Sequence, residues 1–129
     1  MPLKLTLGRG ERLIVNGAVI KNDGEPASLL FENQAQILRQ KDILSQSNAS
    51  TPAARVYMAL QCAYLFPERQ EDHLRDYRQL LKDYAAAAPS AATITQEIME
   101  KVDSDHLYDG LKACRQLLAH EKEVLAHVQ

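Results

Sequence analysis

Tryptophan is absent from the 129 residues and phenylalanine occurs only twice, so a sheet covered with stacking aromatics has little to be built from. Cysteine is as scarce. Cys62 and Cys114 stand far apart without a CxxC, each inside an apolar helical pattern, which predicts buried free thiols rather than a disulfide or a metal site. No run of about 18 apolar residues exists, and Met1-Pro2-Leu3-Lys4 lacks the charged and then apolar course of a signal peptide. A cytoplasmic protein without a membrane span is expected. Five Gly and five Pro are too few for a fibrous or Pro/Gly-rich disordered chain, while 46% hydrophobic and 25% charged residues read as globular. Charge of one sign is also missing, since 15 bases against 17 acids leave −2, which disfavours a polyanion binder working by bulk electrostatics. A local basic strip is still allowed. The length fits one domain or two tightly packed halves.

The chain changes character near residue 45, which predicts an α+β protein: a small antiparallel sheet of about five short strands, then a bundle of about four helices. Residues 1–44 form the β part, 45–51 a connection and 52–129 the helical part. Charge follows the same division. Six bases and five acids give +1 to residues 1–44, and nine bases and twelve acids give −3 to the remainder.

Leu3, Leu5 and Leu7 alternate with polar neighbours as a half-buried strand does, and Gly8-Arg9-Gly10 breaks the run. Leu13-Ile14-Val15 and Ala18-Val19-Ile20 flank Asn16-Gly17, the dipeptide of a two-residue hairpin. Asn22-Asp23-Gly24 turns the chain again, Ser28 to Phe31 form a fourth strand, Glu32-Asn33-Gln34 a tight reversal, and Gln36 to Leu38 a fifth strand. Asp42-Ile43-Leu44 either continues it or begins the exit. Thr51-Pro52 is a helix start, and Val56, Leu60, Ala63 and Tyr64 follow on one face up to Pro67. A second helix carries Leu74, Tyr77, Leu81 and Tyr84. A third, capped by Thr93 or Thr95, carries Ile94, Ile98 and Val102. A fourth, capped by Ser104, carries Leu107, Leu111, Cys114 and Leu118, with Leu125 extending the face.

Catalysis finds little support in these residues. His73, His106, His120 and His127 lie among charged neighbours on the helices, and His120-Glu121 makes no HExxH pattern. Gly8-Arg9-Gly10 precedes a strand rather than a helix, so it reads as a turn and not as a phosphate loop. No enzyme, no metal and no cofactor is expected. The amino-terminal bases offer more. If the first and last strands meet at an edge, Lys4, Arg9, Arg39 and Lys41 form one strip for phosphates, with Arg12 and Lys21 flanking the hairpin. The plainer alternative is a set of solvated charges that guard a sheet edge.

The run Leu29-Leu-Phe-Glu-Asn-Gln-Ala-Gln-Ile-Leu-Arg-Gln-Lys-Asp-Ile-Leu44, with Ser50-Thr-Pro-Ala-Ala-Arg-Val-Tyr-Met-Ala-Leu-Gln61 and Leu65-Phe-Pro-Glu68, resembles the flagellar biosynthesis repressor FlbT family. The opening Leu5 to Ile20 fits the same family. The resemblance implies a bacterial regulator acting after transcription, bound to the 5′ untranslated region of flagellin mRNA and lowering its translation or stability. In some relatives the sign is activation. More faintly, Leu5-Thr6, Gly10-Glu11, Leu13-Ile14 and Val19-Ile20 are similar to the carbon storage regulator family of small β-stranded RNA binders, whose first-strand and last-strand bases contact RNA across a strand-exchanged dimer. Here Leu7 stands in place of a first-strand base, and Arg39-Gln40-Lys41-Asp42-Ile43 in place of a His-Arg-Glu-Glu-Ile run.

Lys4, Arg9, Arg12, Arg39 and Lys41 are thus the expected RNA contacts, and a flagellin mRNA leader the expected partner. A second expectation is an adaptor in flagellar assembly, with Tyr57, Met58, Tyr64 and Phe66 either ordinary core or a groove for a partner such as the flagellar protein FlaF, to which the family is linked. Open strand edges add an expectation of a homo-oligomer, a dimer.

Overall fold

The computed structural model of the chain describes residues 3–127 and forms two compact units, Met1–Ile43 and Leu44–Gln129. In the first unit Asn16 has φ 50° and Gly17 has φ 86°. Two successive left-handed residues make the type I′ turn that Asn-Gly predicts, and they join β2 (Arg12–Val15) to β3 (Ala18–Lys21). With β1 (Leu3–Leu7), β4 (Ala27–Phe31) and β5 (Ile37–Arg39), the unit holds five short strands. The α+β architecture read from the sequence is the one observed.

The strands form two sheets, β1 with β4 and, in a separate sheet, β3-β2-β5, all antiparallel. The first strand therefore pairs with the fourth, and the last with the second, so the expected edge between first and last strands is not formed. Glu32-Asn33-Gln34 is correspondingly a link between strands of different sheets rather than a hairpin. Gln40–Asp42 is a single 3₁₀ turn, which ends β5 instead of extending it. Gln40 still serves β2, because its Oε1 accepts the Arg12 N–H at 2.6 Å.

One asparagine ties the two sheets. Gly10, at φ 75°, and Glu11 together oppose Asn22: the Gly10 N–H donates to the Asn22 carbonyl at 2.7 Å and the Asn22 N–H to the Glu11 carbonyl at 3.0 Å. Two residues facing one is a β-bulge, and a left-handed first residue is what Gly supplies. The Asn22 side chain then donates to the carbonyls of Leu7 and Glu25, each at 2.9 Å, and accepts the Gly24 N–H at 3.0 Å. It thus holds the end of β1 and the approach to β4 against the end of β3.

The second unit is helical. α1 (Pro52–Leu65) begins as expected, with the Thr51 side chain accepting from the Ala54 N–H at 3.2 Å. A second open N–H at this end, that of Ala53, donates to Glu121 at 2.9 Å, so α4 (Leu107–His127) supplies half the cap. α1 packs on both α4 and α2 (Gln70–Ala87), which is why Val56, Tyr57, Leu60 and Ala63 on several of its sides are buried. Gln61 is buried too, but its amide exchanges two hydrogen bonds with the Leu44 backbone, at 2.9 and 3.0 Å. That pairing, not a strand, fixes Leu44.

Three helical details depart from the sequence reading. α3 (Ala92–Asp103) starts from a 3₁₀ turn at Pro89–Ala91, so Thr93 and Thr95 lie inside it and cap nothing. Ser104 closes α3, its hydroxyl donating to the Glu100 carbonyl at 2.8 Å, instead of opening α4. On α4 the buried stripe runs Leu107, Leu111, Cys114, Leu117; Leu118 is half-buried and Leu125 is exposed. Gly110 sits in that stripe because a Cβ there would lie 2.9 Å from Val102 Cγ2 and 3.5 Å from Leu60 Cδ2. Close helix approach outweighs the ~1 kcal/mol of helix propensity that alanine would add.

Both cysteines are free; Cys114 is fully buried and Cys62 half-exposed. Burial pushes the Cys114 thiol up to about 12, and burial likewise raises Tyr77, with the charges of Cys114 and Asp103 adding and that of Arg78 opposing.

Two outcomes follow from this packing. Asn22→Ala accelerates amide exchange at Gly10 by about 30-fold, equivalent to ~2 kcal/mol for three lost side-chain bonds, whereas unchanged exchange contradicts the clasp. Above about pH 9 the unfolded chain releases protons that the folded Cys114 and Tyr77 retain, so stability falls as pH rises, by about 1.4 kcal/mol per unit for each fully titrating group. A urea midpoint no lower at about pH 10.5 than at pH 8 would contradict this.

Candidate nucleic-acid interface

The hairpin turn fixes which side chains meet. Counting back from Asn16-Gly17, Val15 opposes Ala18, Ile14 opposes Val19, Leu13 opposes Ile20 and Arg12 opposes Lys21. Directly opposed residues of an antiparallel pair point to the same face, so Arg12 and Lys21 stand side by side there. Both are exposed, and neither has a salt-bridge partner among the described residues. Two like charges are thus held against each other without an acid between them.

The five expected contacts are not gathered into one strip. Lys4 is exposed on β1, opposite Leu30, in the other sheet. Arg9, in the turn, faces Glu25 at 3.4 Å, an exposed ion pair that offsets its charge. Arg39 opposes Leu13 and therefore points to the face opposite Arg12, half-buried. Lys41 is exposed in the 3₁₀ turn that follows. What the structure adds is Lys21, which the sequence placed beside the hairpin without including it among the contacts. The signal was available, since a two-residue Asn-Gly loop sets the register outright.

In the helical unit, Tyr57 is 3% and Tyr64 8% exposed, and the Tyr64 ring packs against Tyr108 at 5.8 Å between centroids. Both are core and have almost no surface to offer a partner. Met58 and Phe66 reach the surface instead: Met58 lines a cavity of about 520 Å³ with Ala59, Cys62, His73 and Leu80, and the Phe66 ring lies 6.3 Å from that of His73.

His120 is more occupied than a surface histidine needs to be. Its Nδ1 lies 3.2 Å from the Tyr84 hydroxyl and its Nε2 3.0 Å from Ser90 Oγ, at the side of a cavity of about 610 Å³. A Ser–His contact is reminiscent of nucleophile and base, but the place of the orienting carboxylate is taken by a phenol. Burial raises the Tyr84 hydroxyl, with the charges of Glu121 and Cys114 adding. A neutral phenol there makes the chain Tyr84–His120–Ser90 a clasp of α4 to α2 and the turn after it. Among the described residues no group of three or more His, Cys, Asp or Glu is placed to hold a metal ion, and no helix is long and apolar enough to cross a membrane.

Comparison with known proteins extends over nearly the whole chain. The family model of the flagellar protein FlbT matches residues 3–125. The chain belongs to the FlbT family. A relative from Bradyrhizobium diazoefficiens, named probable flagellum biosynthesis repressor protein FlbT 1, is 38% identical over 125 residues, covering 96% of this chain and 85% of its own. One from Caulobacter sp. strain K31, named probable flagellum biosynthesis repressor protein FlbT, is 33% identical and covers 99% of both chains. The flagellum biosynthesis repressor protein FlbT of Caulobacter vibrioides is 31% identical over 99% of this chain and 92% of its own. No solved structure matches. The family match reaches well past residue 70, where the sequence alone shows only a helical pattern.

Lys21→Glu replaces the like-charge opposition of Arg12 and Lys21 with an opposite-charge pair and raises stability by about 0.5 kcal/mol in urea denaturation. A loss of stability of that size would show that the bases are not in conflict.

Proposed function

We propose that this chain is a post-transcriptional repressor of flagellin expression that holds the 5′ untranslated leader of flagellin mRNA on the Arg12–Lys21 face, blocking translation or exposing the message to decay. Membership of a family whose relatives are named flagellum biosynthesis repressors supports the regulatory part. Support for RNA as the target rests on one observation: two bases opposed across the hairpin without an acid. A phosphate placed between them turns a repulsion into two charge-assisted hydrogen bonds. Lys41, exposed in the 3₁₀ turn after β5, extends the contact to a neighbouring phosphate, and Arg9 joins by exchanging Glu25 for RNA, whereas Lys4, in the other sheet, and Arg39, on the opposite face, stand apart from it. Few aromatics serve this mode, because backbone phosphates rather than stacked bases carry the affinity.

A second reading, an adaptor in flagellar assembly for a protein such as FlaF, draws on the surface position of Met58 and Phe66. Recovery of such a partner from RNase-treated lysate, together with no RNA binding by the purified chain, would favour it.

The deciding titration is a gel shift with the flagellin leader at several salt concentrations. The Arg12→Ala/Lys21→Ala double variant weakens binding by about tenfold or more and makes the slope of log affinity on log salt shallower by about 1.4, the share of two single-strand phosphates. The conservative exchange Arg12→Lys/Lys21→Arg keeps both. Equal affinity and slope in the alanine variant would remove RNA from this face.

A further inference from the structure

β3 is an edge strand exposed along its whole length, with Val19 at 65% and Ile20 at 42% exposure, and neither bulge nor proline within it. The remaining edges carry devices that discourage pairing. Lys4 stands mid-strand in β1, Pro26 precedes β4, and β5 is three residues long and runs into a 3₁₀ turn. Among the described strands only β3 is exposed at every residue.

The hairpin also determines which backbone groups that edge offers. Across a two-residue loop the closing pair, Val15 with Ala18, is hydrogen-bonded, and bonded pairs recur at every second residue. Leu13 with Ile20 is therefore bonded, and the Asn22 N–H to the Glu11 carbonyl continues the same phase. Ala18, Ile20 and Asn22 point their N–H and C=O inward. Val19 and Lys21 point theirs outward.

We propose that β3 pairs antiparallel with β3 of a second copy of this chain, with Ile20 facing Ile20 across a two-fold axis and Val19 facing Lys21 in both directions. This is the register the edge groups select. Val19 and Lys21 of each copy then exchange about four interchain hydrogen bonds, and the two exposed isoleucines meet at the close, non-bonded position on the axis. Shifting by two residues in one direction sets Lys21 against Lys21, which like charge opposes; shifting in the other leaves Lys21 beyond the partner strand, opposite Gly17 of its turn. Identical strands related by a two-fold axis keep the same face up. The pair Arg12–Lys21 of one copy thus continues into Lys21–Arg12 of the other, with the two Lys21 residues diagonal neighbours at about 7–8 Å. The second copy completes a four-base strip, and only this last consequence rests on the RNA reading above.

Single cysteines test the register in a Cys62→Ser background. Ile20→Cys lies opposite itself at ~4.5 Å between Cα atoms, within the reach of a disulfide, and crosslinks to a dimer under copper–phenanthroline. Ala18→Cys and Val19→Cys, which do not face themselves, stay monomeric under the same treatment. Equal crosslinking at the three positions, or none at Ile20→Cys, overturns the proposal. Sedimentation equilibrium of the unmodified chain gives the second arm: mass rises with concentration and Ile20→Glu abolishes the rise, whereas a monomer at every concentration overturns the pairing. Gel shifts with the leader separate the two readings. Dimers that bind no RNA retain the pairing and sink the RNA reading; monomers that bind the leader do the opposite.

Discussion

The two-residue turn at Asn16-Gly17 is the constraint on which the amino-terminal unit depends. Both residues lie at positive φ, and a loop of that length admits one register. From it follows the opposition of Arg12 and Lys21, the inward and outward phase of the β3 backbone, and the position of Asn22, which receives the bulge at Gly10 and Glu11. Asn16 also anchors the start of β5, because its N–H donates to the Gln36 carbonyl at 2.8 Å and its side chain accepts the Gln36 N–H at 2.9 Å. A one-residue slip would send every one of these side chains to the other face.

The helical unit rests on packing rather than on special backbone. Its most extensive interfaces are α1 with α2, α3 with α4 and α1 with α4, with Gly110 thinning α4 where it meets Val102 and Leu60. Gln61 is matched with Leu44 and Glu121 with the first turn of α1, while the buried Tyr77 hydroxyl has no hydrogen-bond partner among the described residues. Nine bases against twelve acids leave this half acidic, in contrast to the slightly basic β part.

Local rules made much of this fold legible. Alternation, the Asn-Gly dipeptide, Thr51-Pro52 and the spacing of Leu74, Tyr77, Leu81 and Tyr84 each specify an element from neighbours a few residues away. Strand partnership is set by distant residues, so the pairing of β1 with β4 and of β5 with β2 could not be read from pattern, and with it failed the strip joining Lys4 to Arg39. The Thr51 cap of α1 is as expected, but the caps of the third and fourth helices differ for a related reason. Thr93, Thr95 and Ser104 all have the right chemistry, but Pro89 starts a 3₁₀ turn that moves the beginning of α3 upstream of both threonines, and Ser104 is used by the helix it ends. The Arg12–Lys21 pair is the opposite case. It was implicit in the hairpin and needed only the register to be counted.

Residues 12–21 carry the proposed RNA contact, and ultraviolet crosslinking of the purified chain to the flagellin leader, followed by identification of the modified peptides, addresses them most directly. Adducts concentrated on the β2–β3 hairpin, lost when excess unlabelled leader is added, are the predicted result. Adducts confined to the helices, or none at all from a folded chain, would contradict it.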